Sequence, residues 1–332
     1  MTAIKNQILL LGSVSLAKKE YQELSELAEL ISYTSSSREE FIADLKTKYK
    51  EITAIYSTFA GEKAVGGIDE EIVSHFPPSL KYICHNGAGY DLVQVEYLTK
   101  RGIQLSNTPD AVANATADTA VYLILSALRN FSRLSEELRK GNWLGTVPLA
   151  REPKDKVLGI LGMGSIGHLV HEKVIPLGFS KVIYYNRHQL PKEKEKGAEY
   201  VTFDELLAQS DVLFVSVPLN AGTRHIINAE ALAKAKDGVV VVNTARGAVI
   251  DEEALVQALE SGKVSNVGLD VFEFEPKIHP GLLANPNAVL LPHVGTHTVE
   301  SRTEMELTVI RNIRSALTTG KVIDVVPEQQ KK

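Results

Sequence analysis

The sequence predicts an α/β protein built from two doubly wound, parallel-sheet domains. Short apolar runs alternate with helical patterns along nearly the whole chain, the signature of stacked β-α-β units. One of those runs ends in a glycine loop that opens a helix. The 332 residues also exceed one usual core, at roughly 150 residues per domain.

In the first third, apolar runs predict strands near 7–11, 53–57, 81–84 and 103–105, the first carrying Ile8-Leu9-Leu10-Leu11. Residues 15–31 and 37–48 read as helices between them. A long helix is expected from about 115 to 140, capped by Asn114, with Leu128, Phe131 and Leu134 continuing its apolar face. That face is more than one small domain covers, so it is a candidate subunit interface. After the turn Pro153-Lys154-Asp155-Lys156, strands are expected at 157–161, 181–185, 212–217, 239–243, 266–269 and 289–291, with a helix to about 177 after the first. A final helix, 299–318, has no strand of its own and is expected to fold back onto the first domain.

Charge and composition narrow the function. A net charge of −5, from 36 basic and 41 acidic residues, argues against a nucleic-acid surface. The single cysteine, Cys84, cannot form an internal disulfide or a thiolate cage and reads as a buried small hydrophobe. No apolar stretch is read as approaching the roughly 18 residues that cross a bilayer, and no signal-peptide layout is seen. A cytoplasmic protein with no membrane partner is the expectation. The polar end, 328–332, is expected to fray.

Gly162-Met163-Gly164-Ser165-Ile166-Gly167 lies between an apolar run and an amphipathic helix. In that context G-x-G-x-x-G is a dinucleotide fingerprint: Gly162 for the turn, Gly164 for approach to a pyrophosphate, Gly167 for helix–strand packing. The helix N-terminus offers N–H groups and a positive dipole end to the phosphates. An NAD site usually carries Asp or Glu about 20 residues later, on the ribose hydroxyls. Here Tyr185-Asn186-Arg187-His188 stands there instead. Asn186 tolerates a 2′-phosphate and Arg187, beside His188, can pair with one, so NADPH is favoured, with NADH as the alternative and no metal.

Three segments end where an open α/β sheet presents ligands. Arg246 closes Asn243-Thr244-Ala245-Arg246-Gly247, after a fully apolar strand, and can clamp a carboxylate and polarise the adjacent carbonyl. Glu275 lies in Phe272-Glu273-Phe274-Glu275-Pro276, and His293 in Pro292-His293-Val294-Gly295. Reduction of a 2-oxo acid needs a cation, a hydride donor and an acid. Histidine suits the last, and a neighbouring carboxylate favours its protonated form.

Together with Gly87-Ala88-Gly89-Tyr90-Asp91, Asn114-Ala115-Thr116-Ala117-Asp118 and Val217-Pro218-Leu219, these motifs resemble the D-2-hydroxyacid dehydrogenase family over most of the chain. The run Asn186-Arg187-His188-Gln189-Leu190-Pro191 and Gly295-Thr296-His297 resemble its fungal glyoxylate/hydroxyacid reductase branch. The resemblance implies two Rossmann-like/flavodoxin-like domains with the active site in the cleft between them, and a homodimer built on the long helix at about 115–140. Residues 1–110 and 297–332 would form the substrate domain and 111–296 the dinucleotide domain. It implies Arg246 on the substrate carboxylate and keto oxygen, His293 as acid/base, and Glu275 on His293. Backbone N–H groups around Ala88 and Gly89 would hold the carboxylate, and Phe59 would shape the pocket. Thr116, Pro218, Thr244 and Asp270 would line the cofactor, Asp270 near the nicotinamide amide. Val217, Thr223, Ala245 and Gly295 complete that set, to which Arg246 and His293 also belong. His297 replaces a small residue of many relatives and is read as touching substrate or as a capping or surface residue.

The expected reaction is therefore NAD(P)H-dependent reduction of glyoxylate, hydroxypyruvate or a larger 2-oxo acid to the D-2-hydroxy acid. A 3-phosphoglycerate dehydrogenase-like enzyme is an alternative, though no arginine cluster is assignable to a substrate phosphate. Formate dehydrogenases share the fold but carry glutamine where this chain has Glu275. From another class, a dinucleotide-sensing corepressor keeps much of the same triad. Steady-state turnover separates it from an enzyme.

Overall fold

A computed structural model describes residues 6–330. The chain forms two compact units, one of Met1–Val112 with His297–Lys332 and the other of Ala113–Thr296.

The first unit holds a five-stranded, all-parallel sheet in the order β2-β1-β3-β4-β5. Its strands are β1 (Asn6–Leu11), β2 (Ala28–Ser32), β3 (Ala54–Thr58), β4 (Tyr82–Asn86) and β5 (Gln104–Ser106). Apolar residues on both faces of these strands explain their unbroken hydrophobic runs. Leu9, Ile55 and Ile83 face one layer of helices, while Ile8, Ala54, Tyr56 and Cys84 face the other. The second layer includes the helix Val299–Thr319, whose Val309, Ile310, Ile313 and Ala316 lie in the same core. Cys84 is fully buried, and burial pushes its thiol up to about 12, so it packs as a hydrophobe.

Four expectations need correction. Residues 15–31 do not form one helix: a short helix, Lys18–Gln22, and a 3-10 turn, Glu23–Glu26, lead into β2. Tyr21, Leu24, Ala28 and Ile31 do have helical spacing, but register from Asn6↔Ala28 to Leu10↔Ser32 draws the end of the segment into the sheet. The long helix runs Pro109–Arg129, started by a proline at its first position, so Asn114 is interior rather than a cap. It breaks at Asn130, which adopts φ 54°, and a separate helix, Phe131–Arg139, follows. Helix Pro109–Arg129 is also long and apolar enough, by length and composition, to cross a membrane, contrary to the reading of the sequence. Its Ala117, Ala120, Leu123, Ile124 and Ala127 are buried in the core of the second unit, as in a core helix. Finally, the end of the chain is held down to Gln330 rather than frayed. Val326 N–H donates to Leu105 O, and Gln329 accepts from Leu105 N–H and donates to Ile103 O, covering the β5 edge. Lys331 and Lys332 lie outside the described residues.

The second unit holds a seven-stranded parallel sheet, β12-β11-β10-β9-β6-β7-β8. Its strands are β6 (Val157–Leu161), β7 (Lys181–Tyr185), β8 (Glu199–Tyr200), β9 (Val212–Val215), β10 (Val239–Asn243), β11 (Val264–Leu269) and β12 (Ala288–Leu290). β8, two residues long, leaves no periodicity to read. Strand β10 is buried throughout, Val-Val-Val-Val-Asn, which fixes the segment that follows it to the most rigid part of the sheet.

Candidate active site

The glycine loop leaves β6 and opens the helix Ser165–Val174. Gly162 has φ 101°, and a Cβ there would lie 2.5 Å from Ser216 O and 2.8 Å from Val217, so a side chain is excluded twice over. Gly167 packs against Gly162, where a Cβ would meet its carbonyl oxygen at 2.4 Å. At Gly164 a Cβ would meet nothing within 4 Å, which leaves open space above the backbone. No side chain caps this helix, so its first N–H groups face that space, with Ser165 exposed and Ile166 half-buried. Asn186, at the end of β7, accepts from Met163 N–H at 2.8 Å and so shapes the loop. Arg187 and His188 are exposed and make no side-chain hydrogen bond or ion pair among the described residues. Thr223 closes the next loop internally, its hydroxyl donating to Pro218 O at 2.6 Å.

Arg246, Glu275 and His293 follow β10, β11 and β12, three neighbours in the sheet. Asn243 builds the first turn: its amide donates to Arg246 O and its Oδ1 accepts from Ala245 N–H, each at 2.9 Å. Gly247 is obligatory there, since a Cβ would meet the Phe272 carbonyl carbon at 1.8 Å. Thr244 Oγ1, just beyond β10, is buried and has no hydrogen-bond partner among the described residues.

His293 Nδ1 lies 2.9 Å from Glu275 Oε2, while Glu275 Oε1 accepts from Phe272 N–H at 2.9 Å. Burial alone would raise the Glu275 carboxyl. The His293 and Phe272 hydrogen bonds and the charges of His293 and Arg246 outweigh it and hold the carboxyl below its usual range. His293 sits at φ 54°, uncommon for a residue with a side chain, and its N–H bonds to Asp270 O and Leu291 O keep it there.

Asp270 is the hub of this region. Its carboxylate accepts from Val294 N–H at 2.7 Å and Gly295 N–H at 2.8 Å. Burial nonetheless leaves its acidity weaker than usual. A Cβ on Gly295 would lie 3.1 Å from Asp270 Oδ2 and 3.3 Å from Thr116 Oγ1, so these three predicted cofactor residues meet. Asp270 thus shapes the His293 loop, a role the sequence alone did not assign.

In the first unit, Phe59 opens the helix Phe59–Ala64 and is 39% exposed. The turn after β4 places Ala88 and Gly89 half-buried, with Gly87 O accepting from Thr108 N–H and Ala88 O from the Asn107 amide. Among the described residues no partner is found for the Ala88 and Gly89 N–H groups, which leaves two adjacent donors. His297 is exposed; the cap of the last helix is Thr298, whose hydroxyl accepts from Ser301 N–H. The capping alternative for His297 therefore falls to its neighbour.

The model of the "D-isomer specific 2-hydroxyacid dehydrogenase, NAD binding domain" matches residues 121–295. The chain belongs to the D-isomer-specific 2-hydroxyacid dehydrogenases. It is an oxidoreductase that uses a nicotinamide dinucleotide. The 4-methyl-2-oxopentanoate reductase A of Aspergillus oryzae is 50% identical, over 97% of this chain and 98% of that one. The crystal structure of a glyoxylate reductase from Paecilomyes thermophila superposes with a TM-score of 0.96 at 51% identity, covering 98% of this chain and 99% of the other. An NADPH-dependent glyoxylate/hydroxypyruvate reductase from Sinorhizobium meliloti, in complex with NADP and malonate, gives a TM-score of 0.86 at 30% identity, covering 99% of both chains. The residues present fit the dinucleotide: Gly164 leaves open space above its backbone, and among the described residues no side chain caps the helix that follows and the buried Thr244 hydroxyl has no partner.

Two groups in this dehydrogenase escaped the sequence reading. His168 sets its ring nitrogens 2.8 Å from Gly164 O and 2.8 Å from Lys194 O, tying the glycine loop to the segment after Arg187. Both bonds form together only when the ring carries both protons. The only sequence signal is a histidine four residues beyond Gly164. Glu273, almost buried, accepts from Arg224 and pairs with His225, each at 2.7 Å, joining the loop after β9 to the one that carries Glu275. Nothing local in the sequence pairs residues so far apart.

Proposed function

We propose that this dehydrogenase reduces a small 2-oxo acid to the D-2-hydroxy acid, with NADPH preferred and NADH as the second choice. The observation that carries the reading is the 2.9 Å Glu275–His293 bond, with Arg246 near enough that its charge acts on Glu275. Arg246 would fix the substrate carboxylate and stabilise the growing oxyanion. The adjacent N–H groups of Ala88 and Gly89, in the first unit, are read as donors to the carboxylate of a 2-oxo acid. When bound, the dinucleotide supplies the hydride that reaches the keto carbon. His293, held by Glu275, gives its proton to the alkoxide oxygen, which completes the D (R) hydroxy acid. In this reading, residues 1–110 and 297–332 serve the substrate and 111–296 the cofactor.

The preference for NADPH rests on Arg187 and His188, exposed and without a side-chain partner among the described residues, and on the lack of a carboxylate at Asn186. The relatives act on glyoxylate, hydroxypyruvate and 4-methyl-2-oxopentanoate by their names, and Phe59 favours an apolar tail here. Initial rates for a panel of 2-oxo acids, each with NADPH and then NADH, test both points. Arg187→Ala should raise the KM for NADPH by roughly ten- to a hundredfold, the worth of a charge-assisted bond, and spare NADH. Equal rates with the two nucleotides would make Arg187 a bystander. No turnover with any acid would favour the corepressor-like reading.

A homodimer is the proposed assembly. Phe131, Leu138, Trp143 and Leu144 are 45–75% exposed on the helix Phe131–Arg139 and the segment after it, an apolar surface that a partner would cover. Sedimentation velocity should find twice the chain mass at micromolar concentration; a monomer there would refute this assembly. We also assign the enzyme to the cytoplasm without a membrane partner, because the core-facing side of helix Pro109–Arg129 is already buried. Recovery of active protein in the membrane pellet would overturn that assignment.

A further inference from the structure

We propose that a buried Ser57–Glu62–His85 chain positions the turn Asn86-Gly87-Ala88-Gly89 for the carboxylate of the 2-oxo acid, so that Glu62 and His85 are positioning residues of the reaction. This rests on the reading that the Ala88 and Gly89 N–H groups receive that carboxylate.

Ser57 and His85 are register partners at the carboxyl ends of β3 and β4. Glu62 comes from the helix Phe59–Ala64 that follows β3. Ser57 Oγ donates to Glu62 Oε1 at 2.6 Å, and His85 Nδ1 lies 2.7 Å from the same oxygen. All three are at most 1% exposed. Sealing a carboxylate and an imidazole away from water is expensive, and an apolar set of the same volume would often be as stable or more so. The pair therefore asks for a purpose beyond stability.

Its free end supplies one. His85 Nε2 is buried and has no hydrogen-bond partner among the described residues. It lies against the turn: a Cβ on Gly87 would come within 2.6 Å of it. From the other side the turn is clamped by Thr108 N–H on Gly87 O, at 2.9 Å, and by the Asn107 amide on Ala88 O, at 2.7 Å. With both carbonyls tied, the two unpartnered N–H groups have a fixed direction, and the ring edge fixes their height above β4. A donor pair displaced by about 1 Å loses much of its grip on an anion.

Asparagine and glutamine separate the two ring edges. His85→Asn places an amide near Nδ1, keeps Glu62 paired and removes the support under Gly87. His85→Gln places one near Nε2 and keeps that support. The expected result is a roughly ten- to hundredfold higher KM for the 2-oxo acid in His85→Asn, with kcat within about twofold and the KM for NADPH unchanged. His85→Gln should stay much closer to the parent. Gly87→Ala, which pushes against the ring from the other side, should raise the same KM and keeps the test alive where His85→Asn does not fold. A merely structural role would lower thermal stability without this KM split. The proposal is overturned by a parental KM in both His85→Asn and Gly87→Ala, or by equal effects of Asn and Gln. If the parent protein reduces no 2-oxo acid, the substrate reading itself has failed and this proposal goes with it.

Discussion

Replacing His293 by asparagine should lower kcat for 2-oxo acid reduction by about 10²–10⁴-fold, the usual worth of a positioned acid, while leaving the KM for the nucleotide unchanged. Asparagine is the informative choice because position 293 sits at φ 54°, which asparagine tolerates better than most residues. The loop should therefore survive, since it hangs on Asp270 through backbone N–H groups rather than through the imidazole. Single-turnover kinetics would check this; a kcat within threefold of the parent would remove His293 from the mechanism. The companion variant, Glu275→Gln, bears on pH. Glu275 is held below the usual carboxylate range, so in the parent it stays ionised across the neutral range. Reduction consumes a proton that an imidazole gives, so the rate should fall as pH rises. Without the carboxylate's charge the imidazolium is held less well, and the alkaline limb should move to lower pH by roughly one unit or more. An unmoved limb would dissolve the dyad.

Arg246→Ala should reduce kcat/KM by at least about 10³-fold, because one group is asked both to bind the ground-state carboxylate and to stabilise the developing oxyanion. Turnover and substrate affinity should fall together. Lysine should rescue little, since a point charge cannot replace the planar two-pronged contact. The turn itself is secured by the Asn243 bonds and by the tight seat of Gly247 beneath Phe272, so the loss would report the guanidinium and not a collapsed loop. A variant that kept its KM for the acid while losing only kcat would mean that Arg246 stabilises the oxyanion and something else holds the carboxylate.

How much of this was legible in the sequence follows from how local each signal is. Strands buried on both faces write unbroken apolar runs, so β1, β3, β4, β6, β7 and β10 could be read directly. β2 could not, because its residues also complete a helical spacing that only pairing with β1 overrides. The break at Asn130 was hidden for a similar reason: the apolar period runs through Leu128 and Phe131 although the backbone does not. In the site, Arg246, Glu275 and His293 announced themselves by standing just beyond strand ends, where chemistry is displayed. The Glu62–His85 pair did not, since its members are 23 residues apart and each alone resembles an ordinary polar residue. Asp270 stood out by its family motif, yet its two backbone bonds to the His293 loop depend on tertiary folding alone.

The adjacency of β10, β11 and β12 has a consequence for how such an enzyme can change. Arg246, Glu275 and His293 inherit their mutual spacing from one sheet, while Phe59 and the Ala88–Gly89 turn hang from another. On the proposed reading, reaction and taste are thus written on separate pages. Substitutions at Phe59, beyond β3, would retune which side chain is accepted while the spacing of Arg246, Glu275 and His293 stays as it is. A lineage could then wander from the smallest 2-oxo acid toward bulky ones by small steps, each of them still a working catalyst.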